Sequence, residues 1–210
     1  AIIFIMYTAL QAISITLVNL LQRNIASDQL LVPHFVPAGT RVISLNNPQE
    51  MSENRFDGIS VWLYRIVRDA QRLNAPPERV AHNRIRRKPL PFCLYYLMTP
   101  IISNRTPQSP ETEQLLMGKV LQVFHDHPLI YGSSLGAGFE GTDVELRVRL
   151  DPIGLEEITR IWDSLDRSYQ LSVSYEVSVV YIESELPEEI VHPVDVALPQ
   201  YGVIVSSEKL

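Results

Sequence analysis

Gly136-Ala137-Gly138-Phe139-Glu140-Gly141 has the spacing of a dinucleotide fingerprint, in which bare backbone approaches a pyrophosphate seated at a helix N-terminus. That chemistry needs a strand before the glycines and a helix after them. Directly behind this loop, Val144, Leu146, Val148 and Leu150 alternate with Asp143, Glu145, Arg147 and Arg149, which is the period of a half-exposed strand. The glycine-rich stretch from Gly132 to Gly141 therefore reads as a connection between strands, and it lacks the Lys-Ser/Thr end of a phosphate-binding loop. His125-Asp126-His127 offers two imidazoles, but no third ligand stands at a motif-like spacing. Histidines suit the negative end of a helix, and Pro128 forbids its continuation. Ser133, Ser134, Glu156 and Glu157 have no neighbours that would activate a nucleophile or pair two carboxylates. The single Cys93 lies in the apolar run FCLYYLM, as a buried, inert thiol would, and it fits a reducing, cytoplasmic setting. The densest basic run, Arg79 to Lys88, is free of aromatics and ends in Pro-Leu-Pro, so it lacks the stacking surface of a nucleic-acid site. It reads as a solvated loop, or one that touches an acidic neighbour. These residues predict no catalytic group, no cofactor, no metal and no nucleic-acid partner.

The elements that must carry these groups follow from hydrophobic period. Residues 1–24 carry no charge before Arg23 and are long enough to span a bilayer. Polar residues from Thr8 to Gln22 nevertheless recur at nearly helical intervals and leave Ile5, Ala9, Ala12, Ile13, Leu17, Leu20 and Leu21 as one stripe. The pattern predicts an amphipathic helix laid on a core or on a neighbouring subunit, with no membrane contact. Between Asp28 and Phe56, punctuated by Pro33, Pro37, Gly39 and the Asn46-Asn47-Pro48 turn, only Arg41 to Leu45 reads as extended. Ile59 to Asp69 places Ile59, Val61, Leu63 and Val67 on one strand face and Trp62, Tyr64 and Ile66 on the other, which predicts a central strand or a covered edge. Phe92 to Met98 is a further strand. Ser109-Pro110 opens a helix whose buried stripe is Leu116, Met117, Val120, Leu121, Val123 and Phe124.

Gly154 to Ile182 changes period midway. Leu155, Ile158, Trp162 and Leu165 recur at helical spacing, with Asp151 and Pro152 placed to start the helix. From Leu171 the period drops to two, with Leu171, Val173, Tyr175, Val177, Val179 and Tyr181 on one face and Ser172, Ser174, Glu176 and Ser178 on the other. After Ile182 the chain is acidic and spaced by Pro187, Pro193 and Pro199, which excludes a regular helix and predicts an extended arm.

Three blocks carry a resemblance: the helix with Thr159-Arg160-Ile161-Trp162 followed by Leu171 to Ile182, the run Lys88 to Pro100, and Glu111 to Ile130. In this order they resemble the domain of cap, or tail-terminator, proteins in phage-tail-like contractile injection systems of the antifeeding-prophage and virulence-cassette type. The likeness covers roughly residues 5 to 185, and none of its motifs is catalytic. It implies a structural cap that ends sheath and inner tube at the baseplate-distal end, a ring expected to be six-fold, sheath and tube proteins as partners, and no enzyme activity. The alternatives are a soluble nucleotide- or ligand-binding enzyme domain using residues 132–141, and a membrane-attached adaptor using residues 1–21.

Hydrophobic residues at 46% and charged residues at 20% are globular values, and 210 residues can bury one sizeable core. The expected fold is α+β: a mixed, mostly antiparallel sheet packed by helices over residues 1–183, then an extended C-terminal arm over 184–210. The net charge of −6 divides unevenly, with twelve Lys/Arg against six Asp/Glu in residues 1–105 and six against eighteen in 106–210. Such a split suits copies that meet head to tail, or halves that neutralise each other locally. Tyr201 to Ser206 is a short β-prone segment that would gain by pairing with a sheet edge on a neighbouring subunit or on the terminal sheath layer. The candidate interface residues are therefore Arg84, Arg86, Arg87 and Lys88 on one side, and Glu183, Glu185, Tyr201, Val203 and Val205 on the other.

Overall fold

Leu97 and Met98 are consecutive strand residues, so they face opposite sides of a sheet, and both are fully buried. The sheet is therefore covered on both faces at that point. The computed structural model describes residues 7–31, 41–72, 76–103, 105–132, 135, 139 and 144–191, which fall into two compact units, Ala1–Asn74 with Pro89–Ser184, and Ala75–Lys88 with Glu185–Leu210.

The first unit carries strands β1 (Arg41–Ser44), β2 (Asp57–Arg68), β5 (Leu90–Ile101), β6 (Leu129–Tyr131), β7 (Glu145–Asp151) and β8 (Val173–Ile182). Its helices are α1 (Ala9–Ala26), α2 (Pro48–Glu53), α3 (Ser109–Asp126) and α4 (Leu155–Ser164). The strands form one sheet in the order β1-β2-β5-β8-β7-β6. Every pairing is antiparallel except β1 with β2, so the fold is the expected α+β type with a mixed, mostly antiparallel sheet.

Helices α1 and α3 cover one face. Ile13, Leu17 and Leu21 from α1 and Leu116, Val120 and Phe124 from α3 pack with Ile59, Val61, Tyr96, Val148 and Val177 of the strands. The amphipathic reading of α1 thus holds against a core, although Ile5 lies outside the described residues. Among those residues no helix is long and apolar enough to cross a membrane. Ser14 and Thr16, read as interruptions of the stripe, are buried instead. They remain hydrogen-bonded because their hydroxyls donate back to the carbonyls of Leu10 and Ala12 one turn earlier. Leu121 of the expected α3 stripe is partly exposed.

The turn expected at Asn46 to Pro48 leads into α2. Asn47 accepts from the Glu50 amide at 2.8 Å and the Glu50 carboxylate accepts from the Asn47 amide at 3.0 Å. With Pro48 at the helix start, this reciprocal cap explains how a six-residue helix persists.

The other sheet face is covered by α4 over part of its area. Ile158, Trp162 and Leu165 are buried with Leu97, and Trp62, Tyr64 and Ile153 pack against them. Leu155, expected on the same stripe, is 70% exposed. Asp151 does not cap the helix: it ends β7 and its carboxylate accepts from Ser174 Oγ at 2.9 Å. The residue before α4 is Gly154, and Glu156 and Glu157 occupy the first turn.

Two bulges change the faces read from alternation alone. In β2 the register shifts between Leu63 and Arg65, which leaves Ile66 and Val67 partly exposed. In β8 Leu94 faces Val177 but Phe92 faces Val180, so β8 holds one extra residue there. Val180 then joins Tyr175 and Val177 in the main core, and the single face expected to run on through Val179 and Tyr181 is broken. The serine face is not open either: Ser172, Ser174 and Ser178 are all buried. Ser172 accepts from Trp162 Nε1 at 3.0 Å, and Ser174 shares a hydrogen bond with the Tyr64 hydroxyl at 3.0 Å.

The second unit contains β3 (Glu78–Ala81), β4 (Arg84–Arg86) and β9 (Glu189–Ile190), paired antiparallel in the order β3-β4-β9. The basic run expected as a loop is therefore a hairpin turning at His82-Asn83. Its third strand comes from the acidic segment. None of this unit's described residues is buried.

Tyr96 gives the core a measurable pH dependence. Its hydroxyl shares a 2.8 Å hydrogen bond with Ser14 Oγ, and because Ser14 donates its own proton to Leu10, Tyr96 is the donor. Burial pushes the Tyr96 phenol from 10.0 up to about 12. The fold thus prefers the neutral phenol: the contribution is complete below pH 10 and is lost as pH rises towards 12. Denaturant titrations should show stability falling between these values by about 2–3 kcal/mol more in the wild type than in Tyr96→Phe. Equal alkaline slopes would remove Tyr96 as the cause.

Candidate functional site

The residues that could have done chemistry are placed for structure. In the glycine-rich fingerprint only Phe139 falls among the described residues; it is buried, as is Leu135, and the strand β7 follows. Ser133, Ser134 and the glycines at 136, 138 and 141 lie outside the described residues. His127 ends α3, with Nδ1 2.9 Å from the Val123 carbonyl. Among the described residues no group of three His, Cys, Asp or Glu side chains is gathered to hold a metal. Cys93 is half-buried rather than buried as expected, because the outer sheet face is only partly covered there; desolvation, followed by the charges of Glu176 and Asp69, pushes its thiol up to about 11. Glu156 pairs with Arg160 at 2.6 Å and Glu157 with Arg65 at 3.0 Å. Both carboxylates are engaged with cations rather than with each other.

Three surfaces remain. The first is the part of the outer sheet face beyond α4. There the Arg65 guanidinium lies 4.1 Å from the centre of the Tyr95 ring and Arg149 pairs with Glu176 at 2.8 Å. Arg72 reaches Asp69 at 3.4 Å and donates to the Tyr181 hydroxyl. An open hollow of about 400 Å³ runs past Arg68, Cys93, Arg147 and Ser178. Arg and Tyr are the residues over-represented at interface centres. The second surface is an apolar groove of about 520 Å³ between the C-terminal end of α3 and the strands β7 and β8, lined by Leu121, Phe124, Pro128, Val148, Leu150 and Tyr175.

The third surface is the hairpin of the second unit, and here the sequence-predicted basic residues come together. Glu188 lies between Arg84 at 3.9 Å and Arg86 at 2.9 Å, and Glu189 pairs with Arg87 at 2.6 Å. Lys88 follows in the same exposed stretch. The carboxylates that meet the hairpin are thus Glu188 and Glu189, while Glu183 and Glu185 are exposed positions nearer β8. Within the chain, the choice of Glu188 and Glu189 follows from the pairing of Ile85 with Glu189. Each such exposed ion pair contributes roughly 0–1 kcal/mol and weakens with salt. Tyr201, Val203 and Val205 lie outside the described residues.

Over residues 12–195 the sequence matches the family described as the Pvc16 N-terminal domain. The chain belongs to this family. The resemblance carried by the three sequence blocks and the family match agree. Among solved structures, this Pvc16 N-terminal domain chain is similar to the PVC sheath/tube terminator in its extended state, from an extracellular contractile injection system, with a TM-score of 0.60 and 16% identity over 99% of this chain and 67% of that one. It is also similar to the tube-terminating cap of the anti-feeding prophage, with a TM-score of 0.53 and 20% identity over 87% of this chain and 59% of that one. The chain therefore spans about three fifths of the second cap's length and about two thirds of the first terminator's. No curated protein matches it.

Proposed function

We propose that the chain is a structural cap, a tail terminator that ends the sheath and inner tube of a contractile injection system at the baseplate-distal end. The observation that carries this reading is the family membership over residues 12–195, together with a fold shared along 99% of the chain with a sheath/tube terminator. The alternative of a nucleotide-binding enzyme has no support from the family or from either solved structure.

On this reading the cap works by surface complementarity. A stack of identical layers grows because each layer offers the next the face it needs, and it stops when something binds the last layer and presents a mismatched face. The cap acts as a ring of six copies of this chain, assembled in the cytoplasm onto sheath and tube proteins, without contact with membrane or nucleic acid. Residues 1–183 form the capping domain and 184–210 the arm. Tyr201, Val203 and Val205 add to a sheet edge of a neighbouring copy or of the terminal sheath layer.

Particles made without the chain should have sheaths of irregular length, and particles carrying a labelled chain should show the label at the baseplate-distal end alone. Native mass spectrometry of the chain with its tube or sheath protein should show six copies. A stop after Val191, which keeps β9 and removes Tyr201 to Val205, should also lose length control. Normal lengths in the absence of the chain, or label spread along the sheath, would sink the reading.

A further inference from the structure

The described residues of the second unit lie at the surface. Among its described residues none is buried, β9 meets β4 through only the Arg84–Ile190 and Ile85–Glu189 pairs, and one more backbone bond runs from the Val191 amide to the Asn83 carbonyl at 2.9 Å. Its ion pairs are exposed and screened by salt. Val80, Leu186 and Ile190 are exposed as well, at 44%, 60% and 71%. A three-stranded sheet without a covered apolar face is not stable on its own.

We infer that β9 is an exchangeable strand: in the cap ring, residues 185–191 of one copy pair with β4 of the next copy. There Glu188 sits between the neighbour copy's arginines 84 and 86, and Glu189 meets arginine 87. The inference rests on the ring reading above and names the contact that closes it. Every bond made within one chain can be remade between two chains, so exchange loses no contact, and a closed ring in which each copy gives one strand and receives one leaves none unpaired.

Charge then sets the direction of the contact. The hairpin carries Arg79, Arg84, Arg86, Arg87 and Lys88 against Glu78, while the exchanged segment carries Glu185, Glu188 and Glu189 and no cation. Hairpin against hairpin and segment against segment both repel. The attractive contact is segment to hairpin: passed on from copy to copy it is heterologous and closes as a ring, whereas two copies exchanging reciprocally would make a two-fold dimer, and the mass of the assembly tells the two apart. Pro187, inside the segment between Leu186 and Glu188, restricts the local backbone and favours an extended course.

The test uses two full-length charge-reversed chains. One carries Arg84→Glu, Arg86→Glu and Arg87→Glu, so that hairpin and segment are both acidic; the other carries Glu188→Arg and Glu189→Arg, so that both are basic. All five positions are on the surface, and thermal melts should confirm that both chains fold. Native mass spectrometry, with tube or sheath subunits where the wild type needs them, should show each variant alone losing rings by tenfold or more. A one-to-one mixture should regain rings containing equal numbers of the two chains, and a chain carrying all five substitutions should regain them alone. Pairing between copies is the only way in which the mixture can recover. If the five-fold variant forms rings and the mixture does not, or if each variant alone assembles as the wild type does, the exchange is overturned while the cap reading stands. A wild type that stays monomeric with every partner would instead fail the ring, and the exchange with it.

Discussion

Trp162→Ala should lower the stability of the fold by about 3–5 kcal/mol, the cost of emptying a fully packed indole site. Trp162 is 1% exposed on α4 and fills the small core between that helix and the sheet with Leu97, Ile158 and Leu165. It also stands edge-on to Tyr169, with ring centres 6.4 Å apart, and donates to Ser172 Oγ at 3.0 Å. The hydroxyl left behind keeps a partner, since Ser172 donates to the Gln170 carbonyl, so the loss is one of volume rather than of an orphaned polar group. For a chain of this size the melting temperature should fall by about 10 °C. Trp162→Phe, which keeps much of the volume and drops the hydrogen bond, should fall by less than half as much. A melt unchanged by the alanine substitution would place Trp162 outside the core. The effect is large because Trp162 is the bulkiest of only four buried residues in that cluster.

Gly58→Ala should be at least as damaging, at about 4 kcal/mol or more. Gly58 lies in β2 with φ +143°, a conformation that L side chains rarely adopt, and a Cβ there would stand 1.8 Å from the Val42 carbonyl oxygen and 2.6 Å from its amide nitrogen. Both are backbone atoms of the paired strand, because Val42 and Gly58 are partners in the one parallel pairing of the sheet. No rotamer change relieves the clash. β1 must leave, or β2 must bend. Hydrogen exchange should show lost protection from Arg41 to Ser44 before any other strand, alongside a lowered denaturation midpoint. Gly154→Ala is the matched control: nothing lies within 4 Å of a Cβ there, and as the residue capping α4 it should cost no more than about 1 kcal/mol. If Gly58→Ala melts with the control, the seating of β1 against Gly58 is wrong.

Much of this fold can be read before any coordinates, because its long elements keep one period. Most of the α1 and α3 stripes and the alternation of Leu146 and Val148 with Glu145 and Arg147 survive as buried and exposed sets, while Leu121 and Leu150, expected on the buried faces, are exposed. What could not be read depends on partners distant in sequence. The β8 bulge is fixed by its register with Phe92 and Leu94, and it brings Val180 into the core. Asp151 looks like a helix cap until Ser174 of the neighbouring strand takes its carboxylate. Ser172 and Ser174 look solvated until Trp162 and Tyr64 are laid over them. The short α2 was open to reading, since Asn47 and Glu50 have capping-box spacing behind Pro48. The hairpin of Arg79 to Lys88 was not, because it has no apolar alternation to announce it. For the hairpin and the acidic segment, charge could be read from the sequence, but which glutamate meets which arginine depends on the strand register.

The raised thiol of Cys93 has a practical side. At about 11, it leaves only about one thiol in ten thousand ionised at neutral pH, roughly three hundredfold fewer than an ordinary exposed cysteine. Maleimide and iodoacetamide reagents attack the thiolate, so a cysteine introduced on the surface, at Thr159 of α4 for example, would be modified selectively while the native one stayed silent. A dye, a gold cluster or a spin probe can then be attached to a chain that differs from the natural one at a single position, and the end of the particle on which it sits can be seen directly.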